Sequence, residues 1–232
     1  MTQCGTNYST LICYAERNIV TDSKTIQSIK ISLEHYSASR WDDPNDIFTP
    51  SAVLIPLTLI NGEIHLVFNK RSSNLLHHKG EVSFPGGRLD PEDDSLYACA
   101  LRETHEEMGL SSDQIEIIGQ LDETPVISNY KITPFVGIIP HLNSYNINKS
   151  EIEYTFTVAL DTFFQPTIHR LEPRDFFDKT VVLHFYETNG ETIWGATGRI
   201  VTNFLHVCFD YLPPEYRAYL KNSSDLFYHR RV

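Results

Sequence analysis

A mixed β-sheet held between helical layers is the architecture this sequence predicts, and three observations predict it. Apolar runs rich in β-branched residues are joined across two Asn-Gly dipeptides, Asn61-Gly62 and Asn189-Gly190. Asn-Gly is a strong hairpin signal, because both central positions of the favoured turn need positive φ. Residues 23–36 and 197–212 carry apolar side chains at helical spacing, and the stretch ending Arg102-Glu103-Thr104-His105-Glu106-Glu107 carries its carboxylates that way. Strands interleaved with long helices bury both their faces by packing as a layered α/β fold.

The elements follow in order. Residues 1–22 show no firm pattern. In 23–36, Ile26, Ile29, Leu33 and Tyr36 recur at helical spacing. Residues 42–50 form a polar, proline-bearing connection. Runs 52–59 and 64–69 pair as a hairpin across Asn61-Gly62, and 115–121, 132–139 and 152–160 read as further strands. A second hairpin joins 181–186 to 191–194. In 197–212, Ile200, Phe204, Val207, Cys208 and Tyr211 make an amphipathic helix, which Pro213 and Pro214 are expected to stop. The expected organisation is an extension bearing one helix (1–50), one main domain (51–212) and a tail (213–232) that ends in basic Arg230 and Arg231.

Bulk properties narrow the function. A chain of 232 residues with 41% hydrophobic and 21% charged content has enough apolar material for one globular core. A net charge of −11 argues against a general nucleic-acid binder, whose surface must be basic. Cys4, Cys13, Cys99 and Cys208 are scattered without CxxC spacing, so neither a zinc site nor a redox motif is expected. No apolar run is long enough to span a membrane, and no secretory leader is apparent, so the cytoplasm is the expected setting.

The chemistry is concentrated in residues 81–110. A glycine turn, Phe84-Pro85-Gly86-Gly87, leads through an acidic loop into a helix carrying Glu103, Glu106 and Glu107. Positions i, i+3 and i+4 share one face of an α-helix, with Tyr97, Leu101, Thr104 and Met108 opposite for burial. Like charges at that spacing oppose the helix unless a cation neutralises them. Hard divalent cations take oxygen ligands, and Mg²⁺ is held by a few carboxylates together with substrate phosphates. An ordinary solvated helix face would need neither the preceding glycine pair nor the following Gly109-Leu110. Asp93 and Asp94 are expected to cap the helix start.

These residues resemble the Nudix box: Gly87, Arg102, Glu103, Glu106, Glu107, Gly109 and Leu110 match it, with Asp93 as the spaced acid and Thr104 in place of a larger aliphatic residue. The lengthened, Asp-containing spacing is similar to that of the coenzyme A pyrophosphatase-like subgroup. So are Arg71-Ser72, Gly80 and Phe84-Pro85-Gly86-Gly87 upstream, although Leu76 stands where that subgroup has an arginine. Residues 119–122, 134–137, 151–160 and 193–197 extend the likeness. The resemblance implies an α/β/α sandwich and a hydrolase that uses Mg²⁺ or Mn²⁺. Glu103, Glu106, Glu107 and the Gly87 carbonyl would be the metal ligands. Glu106 would be the general base, with Glu151 second, and Arg102 would orient a carboxylate. Arg71, Ser72, His77, His78, Lys79 and Phe84 would face the substrate, with Lys70 adding to the basic cluster. Trp194 is expected in the core.

Coenzyme A or an acyl derivative is the first substrate expected, giving 4′-phosphopantetheine and adenosine 3′,5′-bisphosphate. ADP-ribose, NADH or dinucleoside polyphosphates are the alternative within the same chemistry. An alternative of another class is a Nudix module that binds a nucleotide without cleaving it; such modules usually lose a box glutamate, and all three are present. The expected partner is a small nucleotide, with a homodimer left open.

Overall fold

The computed structural model describes residues 23–75, 78–126, 128–176 and 179–222. Residues 1–22, Leu76, His77, Arg230 and Arg231 lie outside that description.

The main sheet is built from β1 (Thr49–Ile60), β2 (Glu63–Arg71), β3 (Val82–Ser83), β4 (Gly86–Arg88), β5 (Glu116–Gln120), β6 (Thr124–Val126), β7 (Tyr130–Ile138) and β8 (Ile152–Ala159). Its central order is β3-β2-β1-β7-β5, with β8 beside β2, β4 beside β1 and β6 beside β7. β1 and β7 run parallel, and β1 and β2 form the expected hairpin. Asn61 and Gly62 sit at φ 52° and 86°, as that turn requires.

Strand alternation divides the core. Ala52, Leu54 and Val67 point to one face, where Cys99, Ala100 and Met108 of the carboxylate helix cover them. Ile55, Leu57, Leu66 and Phe68 point to the other, against Ile29 and Leu33 of α1 (Ser23–Glu34). The carboxylate helix is α2 (Leu96–Met108), and α3 (Gly195–Phe209) adds Ile200, Val201, Phe204 and Leu205 to the face shared with α1. The sheet is therefore mixed and lies between helices, as expected.

Two features depart from expectation. A separate three-stranded antiparallel sheet of β9 (His169–Phe176), β10 (Lys179–Thr188) and β11 (Glu191–Trp194) flanks the main one. β9, HRLEPRDF, is charged and contains Pro173, so it has no strand signature of its own; eight register pairs with β10 hold it. The prolines at 213 and 214 also do not stop α3. It ends at Phe209, with Asp210 left-handed at φ 50°. Pro214 instead opens a further helix, α4 (Pro214–Asn222), where its missing N–H costs nothing. Tyr216 anchors α4 by burying against Val182 and Leu212.

Candidate active site

The site is assembled along α2. Ser95 is extended, and its hydroxyl accepts from the Ala98 N–H at 3.1 Å, so Ser95 caps the helix rather than Asp93 or Asp94. Gly109 ends the helix at φ 71°, its N–H donating to the His105 carbonyl. Asp93 instead receives Nε and Nη2 of Arg102, both at 2.9 Å. That pairing holds the Asp93 carboxyl below its ordinary range. Arg102 also donates through Nη1 to Glu103 at 2.9 Å and Glu106 at 3.1 Å, and through Nη2 to the Arg88 carbonyl at 3.2 Å. One guanidinium thus ties the acidic loop, the glycine strand and two glutamates together.

The helix faces are rotated from the expected arrangement. Tyr97 is 46% exposed, whereas Ala100, Thr104, Glu107 and Met108 form the buried edge. Glu107 is only 2% exposed because α2 packs on β1 and β4, and Asn69 and Arg71 of the neighbouring β2 reach its carboxylate. Asn69 Nδ2 donates to Glu107 Oε2 at 2.8 Å, and Arg71 Nη1 stands 3.8 Å from Oε1. Burial pushes the Glu107 carboxyl up to about 8, while Arg71 and Asn69 oppose the rise. Glu103 is also raised by burial against the pull of Arg102, and Glu106 sits outermost with a half-exposed side chain.

Gly87, paired with Ala52 across β4 and β1, faces this cluster; a Cβ there would run into the Glu103 carboxylate. Its carbonyl, the expected metal ligand, lies 3.6 Å from the Cys99 thiol, which also donates to the Arg88 carbonyl at 3.3 Å. Burial raises that thiol to about 11, so it stays protonated. Glu151 precedes β8. Its carbonyl accepts from the Ser72 N–H at 2.7 Å, its carboxylate takes Asn148 Nδ2 at 3.4 Å, and its charge adds to the upward shifts of both Glu103 and Glu107.

Glu103, Glu106, Glu107 and Glu151 therefore converge, but their oxygens do not stand in a ligating array. Among the described residues, no three His, Cys, Asp or Glu side chains are grouped to grip a metal ion. Arg102 holds Glu103 and Glu106 instead, and Asn69 holds Glu107. The donor set nevertheless fits a hard divalent cation, since it is oxygen-only and collects like charge around a buried carboxylate.

The expected substrate-side residues separate. Arg71 joins the carboxylates. Phe84 does not face a substrate; it is 3% exposed and stacks on Phe68 in the core, centroids 4.8 Å apart. Ser72 is likewise buried, its hydroxyl accepting from the Asn74 N–H at 3.3 Å, so it shapes the loop. His78, at φ 54°, contacts Glu81 at 3.0 Å, and Lys79 is exposed; His77 lies outside the described residues. Lys70 alternates to the other face of β2 and pairs with Glu191 at 2.6 Å. Trp194 is not core: it is 37% exposed and stacks face to face on Phe185. Asn69 was not foreseen. The only signal for it was its period-two relation to Arg71 along a strand.

The NUDIX domain family matches residues 48–192. "Uncharacterized Nudix hydrolase NudL" of Enterobacter sp. (strain 638) is 36% identical over 155 residues, covering 65% of this chain and 78% of that protein. The protein of the same name from Yersinia enterocolitica serotype O:8 / biotype 1B (strain NCTC 13174 / 8081) is 34% identical over 157 residues, covering 65% and 77%. Among solved structures, a binary complex of the C. elegans Ap4A hydrolase matches with 16% identity and a TM-score of 0.42, covering 50% of this chain and 83% of that one.

Proposed function

The chain belongs to the Nudix family and is a pyrophosphohydrolase, and from that premise we propose that it cleaves the pyrophosphate of a nucleoside diphosphate linked to another moiety, with coenzyme A or acyl-CoA as the substrate. The observation that carries the site is the convergence of Glu103, Glu106, Glu107 and Glu151 beside Arg71 and Gly87. The substrate choice is supported by Arg71-Ser72, Gly80 and Phe84-Pro85-Gly86-Gly87, the residues that resemble the coenzyme A subgroup.

Glu103, Glu106, Glu107 and the Gly87 carbonyl would hold Mg²⁺ or Mn²⁺, which when bound neutralises charge on the phosphate oxygens. In the reaction, a water oxygen bonds to phosphorus and the bond from phosphorus to the bridging oxygen breaks. Glu106 takes the proton of the attacking water; its exposed carboxylate stands outermost in the cluster. Glu151 is the second candidate for that proton. Arg102 keeps Glu103 and Glu106 oriented through Nη1 while Asp93 holds its other edge. Arg71 brings positive charge to a phosphate oxygen. The two buried free thiols, Cys99 and Cys208, accord with a reducing cytoplasmic setting.

Leu76, in place of an arginine of the subgroup, favours a second reading in which the substrate is ADP-ribose, NADH or a dinucleoside polyphosphate. The deciding experiment incubates the full chain with Mg²⁺ or Mn²⁺ and a panel of these compounds with coenzyme A, and identifies products by mass spectrometry. Adenosine 3′,5′-bisphosphate formed in preference to all other products is the expected result. Efficient cleavage of another member, with coenzyme A left intact, replaces the first reading with the second.

A further inference from the structure

Near Glu107 and its partner Asn69, three polar atoms are buried and have no hydrogen-bond partner among the described residues: Asn69 Oδ1, Arg71 Nε and Ser83 Oγ. Asn69 and Ser83 are register partners across β2 and β3, so their side chains stand on the same side, with Cβ atoms about 4.5–5.5 Å apart. Arg71 follows a register irregularity after Lys70 on β2, and its guanidinium reaches the same carboxylate as Asn69. The side that Asn69 and Ser83 share is the one that meets Glu107.

Buried polar atoms are nearly always paired, and each exception calls for a reason. Three on adjoining strands, at the edge of a carboxylate cluster, share one reason if a polar ligand group completes them. The donors decide its chemistry. Arg71 Nε–H and the Ser83 hydroxyl both offer protons, and the guanidinium carries fixed charge, so the complement is an anionic oxygen. The 3.8 Å between Arg71 Nη1 and Glu107 Oε1 exceeds a hydrogen bond, even though the two charges are opposite. Asn69 explains this: it is fully buried, and its amide gives Glu107 the hydrogen bond that Arg71 would otherwise supply.

We propose that Arg71 and Ser83 form a subsite for one non-bridging phosphate oxygen of the substrate, and that Asn69 is the positioning residue that keeps the subsite open by holding Glu107 away from Arg71. Asn69 Oδ1 then accepts a hydrogen bond from a water or hydroxyl accompanying that phosphate. The inference rests on the pyrophosphohydrolase reading of the same site and extends it to Asn69 and Ser83.

The test uses the full chain and calorimetric titration with Mn²⁺ alone, and then with α,β-methylene-ADP in the presence of Mn²⁺. Ser83→Ala is expected to raise the Kd of the analogue about 10- to 100-fold, the worth of one hydrogen bond to a charged group, and to leave Mn²⁺ binding unchanged. Ser83→Thr, which keeps the hydroxyl, restores tight binding. Asn69→Leu weakens both titrations, because Glu107 and Arg71 close on each other, and its thermal midpoint without metal does not fall. An analogue Kd in Ser83→Ala equal to wild type, with Mn²⁺ binding intact, overturns the subsite. Asn69→Leu that loses thermal stability yet binds Mn²⁺ and analogue normally makes Asn69 structural only and overturns its part. A wild-type chain that binds no Mn²⁺ overturns the reading of the carboxylate site itself, and the subsite with it.

Discussion

Helices α2 and α3 cover opposite faces of one sheet, yet they bury opposite chemistry. α3 sets Ile200, Val201, Phe204 and Leu205 into the larger core, all between 0 and 2% exposed. α2 sets Ala100 and Met108 against the sheet but buries Glu107 between them and the strands, and crowds Glu103, Glu106 and Glu151 around it. The first face gains chiefly from apolar contacts. The second carries desolvated like charge that its own residues neutralise only in part, through Arg71, Arg102 and Asn69. A small domain tolerates such a face because the opposite one is mainly apolar, its few buried polar groups such as Thr202 and His184 being uncharged and largely paired with one another.

Substitutions on the two faces sharpen this contrast. On α2, Glu106→Gln is expected to lower kcat by about 10²- to 10⁴-fold, the usual worth of a general base, with an unchanged thermal midpoint because the side chain is half exposed. Turnover close to wild type would move the base assignment to Glu151. On α3, Phe204→Ala is expected to cost about 3–5 kcal/mol in denaturant unfolding, while the activity of the molecules that remain folded is kept. A specific loss of turnover there would break the separation between the faces. Arg102→Lys retains charge but cannot bridge Asp93, Glu103 and Glu106 at once, so activity should fall about 10- to 100-fold, with metal affinity measured alongside.

The smallest expected effect is on pH. Burial raises Glu107 from its usual 4.5 to about 8 in the fold. Its contribution therefore favours the metal-free fold fully below pH 4.5 and is lost as the pH rises through 8. Glu107→Gln should unfold at the same temperature as wild type at acid pH, and at a higher temperature at pH 8.5. Saturating Mn²⁺ should reverse the order at pH 8.5. Parallel melting curves across the range would mean that Glu107 is not desolvated as described.

Much of this was legible locally. Asn61-Gly62 and Asn189-Gly190 produced their hairpins, because a two-residue turn is decided by its own φ angles. Ile29 and Leu33 fell in the core as their spacing required, and Gly87 faces the carboxylates as the motif implied. What failed to read lay in pairing with distant segments. β9 holds its place only through β10, and α4 through Tyr216 packing on Val182 and Leu212. Phe84 and Trp194 exchanged expected roles, since an aromatic residue beside a glycine turn carries no mark of whether another ring will cover it.

Turn angles, helical spacing and motif order are properties of neighbouring residues, so both Asn-Gly hairpins, helices α1 to α3 and the Nudix box could be read from the chain alone. Which glutamate is buried, which arginine serves which carboxylate, and which polar atoms lack partners among the described residues follow from the packing of distant segments. Those depend on α2 packing over β1 and β4 while β2 brings Asn69 and Arg71 to Glu107, and a charge acquires its solvation from whatever the fold places around it.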